Sequence, residues 1–396
     1  MSEHNADLLA TIAIALPAAL VGGFLARRLK LPAILGYLLA GVAIGPFTPG
    51  PVANSEVALE LAEIGVVLLM FGVGLHFSLR DLLGVRRIAV PGALGQIAAA
   101  TTLGIGVGLL ADWSIGASVM LGLAISVAST VVLLRSLEQR GLVQTEPGRV
   151  AVGWLIVEDL FTVLALVVVP AIAPAHGGTD ALGIAGDVVF AVLKTAALTG
   201  VMVFAGARLL PWLLAQVERE GSRELFTLAV LAVALGTAFA SSEVFGGSFA
   251  LGAFLAGAVL SGSKVSERAA EHVLPITDAF GVLFFVAVGM LLDPAIIANE
   301  PGVIAAIVVV IVVAKFAAGL GLVALFGGSH RAGLVVGAGL AQIGEFSFIV
   351  ATAAVDVGLM SPAQFQVVVA AAGVSIAFNP LAFAVAERVS ADQVAG

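Results

Sequence analysis

The segment Gly153-Trp154-Leu155-Ile156-Val157-Glu158-Asp159-Leu160 decides how this chain is read. Two adjacent carboxylates stand in the middle of an apolar stretch over about 148–170, which is long enough to cross a bilayer as a helix. A charge at bilayer depth costs at least ~2.5–3.5 kcal/mol on insertion scales, so a pair of them needs a reason. Neighbouring residues on a helix point about 100° apart. One acid can therefore face a water-filled cavity while the other faces a neighbouring helix. Such a pair suits a site that takes either a proton or a cation. The plainer alternative is a structural acid neutralised by a buried base.

The rest of the chain agrees with a membrane setting. Its 396 residues are 60% hydrophobic and 11% charged, with a mean hydropathy of +1.14; soluble domains carry about 25% charged residues. A β-barrel would show weaker, alternating segments. The net charge of −8 and the lack of a basic cluster speak against nucleic acid. With no cysteine, thiol chemistry and iron–sulfur clusters are excluded. The first apolar stretch begins after Asp7 without a basic leader or a small-residue cleavage site, so it reads as a spanning helix. No phosphate-cradling glycine loop, His-Glu-x-x-His or nucleophile elbow occurs, and His4, His76, His176, His272 and His330 do not cluster. No enzyme activity and no cofactor are therefore expected.

Thirteen spans are expected, over 8–27, 32–46, 57–77, 88–110, 115–135, 148–170, 183–210, 224–241, 245–262, 273–292, 302–326, 332–355 and 362–386. Charge tests the count. Sixteen of the eighteen lysines and arginines follow odd-numbered spans, among them Arg27, Arg28, Arg86, Arg87, Arg140, Arg219, Arg268 and Arg388. Loops after even-numbered spans carry acids instead, such as Asp112, Asp293 and Glu300. By the excess of positive charge on the cytoplasmic side, the N-terminus lies outside and the C-terminus inside. The two exceptions, Lys194 and Lys315, fall within spans.

The chain also repeats itself. Gly36-Tyr37-Leu38-Leu39-Ala40-Gly41 returns as Gly252-Ala253-Phe254-Leu255-Ala256-Gly257, 216 residues on. Gly65-Val66 returns as Gly281-Val282 at the same offset, and Gly122-Leu123-Ala124 as Gly339-Leu340-Ala341 at 217. The offset covers seven spans, an odd number, so the second copy is inserted upside down. Transporters built this way hold their ion near the midplane, where the copies meet.

Polar residues at mid-depth collect at matching repeat positions: Ser126-Val127-Ala128-Ser129-Thr130 in the fifth span and Gln342-Ile343-Gly344-Glu345-Phe346-Ser347 in the twelfth. Both suit broken helices whose freed carbonyls coordinate a cation and whose half-helix ends offer dipoles; hydroxyls bonding back to their own helix are the alternative. Glu345 either compensates those dipoles or supports the site. Lys315 sits among valines and alanines and needs a partner, with Glu158 the best candidate and Glu345 the second. A Lys–Glu pair broken by the arriving ion would be mechanistic, and a permanent one scaffold. Glu63 and Asp278 read as polar helix ends more readily than as linings of an access path, and Lys194, seven residues after Asp187, as a pairing or snorkelling residue.

The segments Ser126-Val127-Ala128-Ser129-Thr130-Val131-Val132-Leu133, Trp154 to Asp159, Phe284-Phe285-Val286-Ala287-Val288-Gly289-Met290 with Asp293-Pro294, and Ala341 to Ser347 together resemble the Kef-type branch of the monovalent cation:proton antiporter-2 family. The resemblance covers about residues 8–386. It implies an all-α polytopic membrane protein with an inverted repeat and crossing broken helices (an NhaA-like antiporter fold), assembled as a homodimer in a bacterial inner membrane. Repeat 1 would cover about 32–170, a linker helix 183–210, and repeat 2 about 245–386, within one transmembrane domain over 1–396. It further implies that Asp159 binds the ion and that Lys315 pairs with the first acid. That first position is Asp, Asn or Gln in relatives and Glu158 here. Many such proteins carry a cytosolic nucleotide-binding regulatory domain after the last span; none is expected in these 396 residues.

The function expected is exchange of a monovalent cation, potassium before sodium, for a proton by alternating access. The ion would sit at Asp159 and Glu158 with Ser129, Thr130 and Ser126, supported by Lys315, Glu345 and Gln342. The alternatives are a cation channel and an organic-anion or sodium symporter on a related fold. A channel would favour a ring-like symmetric filter, and a symporter for anions would want basic contacts in place of a carboxylate pair.

Overall fold

A computed structural model describes residues 3–49, 53–76, 79–171, 190, 193–194, 196–245 and 249–395. Among these, all regular structure is helical. The first seven helices are α1 (Glu3–Arg28), α2 (Ala33–Ile44), α3 (Ser55–His76), α4 (Leu79–Leu110), α5 (Ile115–Ser126), α6 (Thr130–Gln139) and α7 (Glu146–Ala171). Then follow α8 (Ala207–Arg219), α9 (Arg223–Phe245), α10 (Phe249–Ser261), α11 (Ser266–Met290) and the short α12 (Ala295–Asn299). The last five are α13 (Pro301–Val309), α14 (Lys315–Leu325), α15 (His330–Leu340), α16 (Glu345–Asp356) and α17 (Pro362–Ala395). Wider π-helical turns, Met202–Gly206 and Val310–Ala314, lead into α8 and α14. An apolar chain without water must satisfy its peptide groups internally, and the helix does so within one segment.

Among the described residues, nine helices are long and apolar enough to cross a membrane, or ten when α15 and α16, bent by 45°, are taken as one broken span. The protein is a multi-pass membrane protein, and this count is coarser than the thirteen spans expected. Two of those spans, 32–46 and 245–262, are the 12-residue α2 and the 13-residue α10. At 1.5 Å per residue, either reaches about two thirds of the ~30 Å hydrocarbon layer. α2 stops because Pro46 forces the residue before it out of the helix: Gly45 is extended, at φ −79° and ψ 170°. Residues 183–189, with Asp187, lie outside the described residues, as do Asp180 and His176.

The chain divides into two compact units. The first comprises Met1–Ala19, Gly50–Ser78 and Leu166–Ala287. There α3 and α10 pack backbone to backbone: a Cβ on Gly74 would lie 2.3 Å from the Phe254 carbonyl oxygen, and one on Gly257 2.2 Å from that of Phe71. Small residues give membrane helices this close approach. The second unit comprises Leu20–Pro49, Leu79–Ala165 and Val288–Gly396. It holds Glu158, Asp159, Lys315 and Glu345, all buried.

Two helix breaks in the second unit position its polar groups. Between α5 and α6, Val127 is extended, and Ser129 caps α6 by accepting the Val132 N–H at 3.3 Å. Between α15 and α16, residues 341–344 leave the helix, and Gly344 precedes α16 with no side chain to cap it.

Candidate ion-binding site

The acid pair of α7 meets the α5–α6 break. Glu158, 0% exposed, accepts the backbone N–H of Ala128 through Oε2 at 2.8 Å. Asp159, 6% exposed, receives the Thr130 hydroxyl, whose Oγ1 is 3.2 Å from each carboxylate oxygen. The 100° step between neighbours on a helix thus delivers two adjacent acids to two alternate residues of the break. Thr162, one turn further along α7, donates back to the Glu158 carbonyl at 2.9 Å.

The second break fastens the first. Gln342 receives the Ser129 N–H at 3.1 Å and donates its own amide N–H to the Ser129 carbonyl at 3.1 Å. Ser129 Oγ donates to Glu345 Oε2 at 2.8 Å, and Ser347 Oγ reaches the Val127 carbonyl at 3.4 Å. Lys315 turns its ammonium to the Gln342 carbonyl at 3.2 Å. It attracts Glu158 electrostatically, but the two are not in ion-pair contact. Among the described residues, ion pairs join Arg140 to Glu387 and Arg268 to Glu218, away from the site.

The structure therefore sorts the residues singled out in the sequence. Glu158, Asp159 and Thr130 come together, while Ser129, Gln342, Glu345 and Lys315 form a network beside them. Ser126 joins neither group, since its hydroxyl bonds back to Leu123 O at 2.8 Å. Glu63 and Asp278 are exposed, and the Lys194 ammonium lies over the Phe190 ring at 4.7 Å. Several carbonyls in and beside the breaks, expected to be free for an ion, already hold donors. Ser126 O takes Gln96 Nε2 at 2.9 Å, Ala338 O takes Asn379 Nδ2 at 2.8 Å, and Ser129 O and Gln342 O are bonded as above. Gln96 and Asn379 were missed in the sequence. Each is a buried amide in an apolar helix, and an amide at bilayer depth is itself a signal.

A carboxylate this buried, with one hydroxyl for company, needs a proton or a bound cation to neutralise it. Among the described residues no three His, Cys, Asp or Glu side chains cluster as a metal cage would require. Asp159 and Thr130 together present carboxylate and hydroxyl oxygens, the donor type that a small cation takes.

Comparison with known proteins identifies the family. Residues 13–386 match the family model for the transmembrane part of sodium/hydrogen exchangers. The chain is 50% identical over 388 residues to a protein of Escherichia coli (strain K12) named cation/proton antiporter YbaL, covering 98% of this chain and 70% of that one. It is 32% identical over 353 residues to the chloroplastic K(+) efflux antiporter 1 of Arabidopsis thaliana, covering 88% of this chain but 29% of that protein. The fold matches the sodium proton antiporter MjNhaP1 of Methanocaldococcus jannaschii with a TM-score of 0.69 over 96% of this chain and 97% of the other, at 16% identity. The chain belongs to the sodium/hydrogen exchanger family, whose members are membrane antiporters and not enzymes.

Proposed function

We propose that the protein exchanges a monovalent cation, potassium in preference to sodium, for a proton, with Asp159 as the group for which the two compete. The observation that carries this reading is the state of Asp159: a buried carboxylate, held by Thr130, in contact with no basic side chain. Competition for one carboxylate couples the two fluxes without another energy source. Thr130 orients the acid, and Glu158, drawn toward Lys315 but bonded to Ala128, tunes it. Potassium is favoured by the relatives named for potassium efflux, at 32% and 30% identity.

The reading includes alternating access within an inverted repeat, with the α5–α6 and α15–α16 breaks as the crossing segments. The two breaks lie at matching repeat positions and bond to each other, which supports it. Thirteen crossings, with α2, α7 and α10 counted beside the longer spans, suit the alternation of charge along the chain. That alternation sets the N-terminus outside and the C-terminus in the cytoplasm. A homodimer in a bacterial inner membrane is part of the same reading.

The test is proton flux in reconstituted vesicles against potassium and sodium gradients, with the membrane potential clamped. Asp159→Asn keeps shape and the Thr130 contact but cannot carry charge. Its flux is expected to fall to that of empty vesicles. Wild-type exchange by this variant, or cation flux without protons in the parent, would overturn the reading.

A further inference from the structure

Trp154 and Glu158 are four residues apart on α7, so their side chains share one face of the helix. Both are 0% exposed. Glu158 Oε2 is bonded to Ala128, but its Oε1 has no hydrogen-bond partner among the described residues, and neither has the indole Nε1 of Trp154. A buried donor and a buried acceptor, each without a partner, thus stand one turn apart. Unpartnered buried groups are rare and costly in folded proteins. The indole side chain is within reach of the Glu158 carboxylate, though not aligned on it.

The ring itself is fixed. Its benzene edge rests on Gly92 of α4, where a Cβ would come within 2.3 Å of Cζ3 and 2.4 Å of Cη2. The N–H lies on the far edge of the ring from that contact. Turning the indole would lift it off Gly92, so the mobile partner is Glu158, which needs only a rotamer change. The other ionisable groups that act on Glu158 are Lys315 on α14 and Asp159 on its own helix, while Glu345 on α16 acts on Asp159. None of these donates a hydrogen bond to Oε1.

We propose that the indole N–H of Trp154 is a second hydrogen-bond station for Glu158, which the carboxylate takes up when it is ionised. Trp154 is then a positioning residue: it holds the charge of Glu158 beside Asp159 without touching the ion. Replacement by phenylalanine removes the donor together with the outer edge of the ring that rests on Gly92, so the indole resonance is the more selective test. This inference rests on the reading of Glu158 as the tuner of Asp159, and its test is separable from that of antiport.

The chain has three tryptophans, so Trp113→Phe and Trp212→Phe leave Trp154 as the sole indole. In lipid nanodiscs, the indole N–H resonance of this protein is followed from acid to alkaline pH. The expected result is a shift toward stronger hydrogen bonding as Glu158 ionises, and no shift in Glu158→Gln. An indole signal that stays still in the parent, or moves equally in Glu158→Gln, overturns the proposal. Trp154→Phe should raise the half-saturating cation concentration about tenfold while the maximal rate changes little, as loss of one hydrogen bond to a charged group predicts. An unchanged half-saturating concentration also overturns it. If Trp154→Phe does not fold, the resonance comparison alone decides. If the parent shows no cation/proton exchange at all, antiport fails while the Glu158-dependent indole shift still reports on the contact.

Discussion

The two helix breaks look alike in sequence and do different work. Both put small or polar residues at mid-depth, and both interrupt a span for three or four residues. The α5–α6 break bonds to both acids of α7, Ala128 to Glu158 and Thr130 to Asp159. The α15–α16 break bonds to neither. Its side chains hold the first break in place, Gln342 at both the N–H and the carbonyl of Ser129 and Glu345 at the Ser129 hydroxyl. On the proposed reading, one break carries the chemistry and the other is its clamp. Two segments alike in sequence therefore need not make the same contacts, because one carboxylate pair can face only one of them.

The largest effect expected on this division is at the clamp's centre. Gln342→Leu preserves bulk but leaves the N–H of Ser129 buried without a partner, at about 1–3 kcal/mol, and takes one of two donors from its carbonyl, which keeps the Leu133 N–H. Thermal unfolding in detergent should show a clear loss of stability, and exchange should fall with it because Thr130 follows directly on Ser129. An unchanged melting temperature would mean that the breaks do not depend on each other.

Gly344→Ala tests the same clamp by crowding. A Cβ there would lie 2.2 Å from Ser129 Cβ and 2.7 Å from its Oγ, so the two breaks must move apart. Overpacking of this kind costs about 1–3 kcal/mol. The comparison is sharpened if the maximal exchange rate falls further than stability does, since displacement of Ser129 misplaces Thr130 against Asp159. A variant with full stability and full exchange would show that the contact yields freely.

How much of this could be read from sequence follows from the same contrast. Charged and hydroxyl residues stand out against an apolar background, so Glu158, Asp159, Lys315 and both polar segments were visible as a constellation. The division of labour among them was not. Whether Ser129 or Thr130 meets Asp159 depends on the helical phase after the break, and the structure gives Thr130 to Asp159 and Ser129 to Glu345. The partner of Lys315 was sought among side chains, but it bonds a backbone carbonyl, and a carbonyl leaves no mark in the sequence. The span expected over 32–46 runs past α2, whose end is set by Pro46.

The smallest effect expected is at Glu345, and it separates clamp from ligand most cleanly. Glu345 is 1% exposed, accepts the Ser129 hydroxyl through Oε2, and has no partner at Oε1 among the described residues. No basic side chain pairs with it there. If it serves only to hold Ser129, a neutral isostere serves as well, because the amide oxygen of Glu345→Gln accepts the same hydrogen bond. Exchange should then change by about threefold or less, the scale of a small adjustment to one hydrogen bond. Glu345→Leu, which cannot accept from Ser129, should lose more in both stability and rate. Were Glu345→Gln instead to lose exchange as completely as Asp159→Asn, the charge of Glu345 would belong to the transport step. The second break would then be a partner in the chemistry and not its clamp.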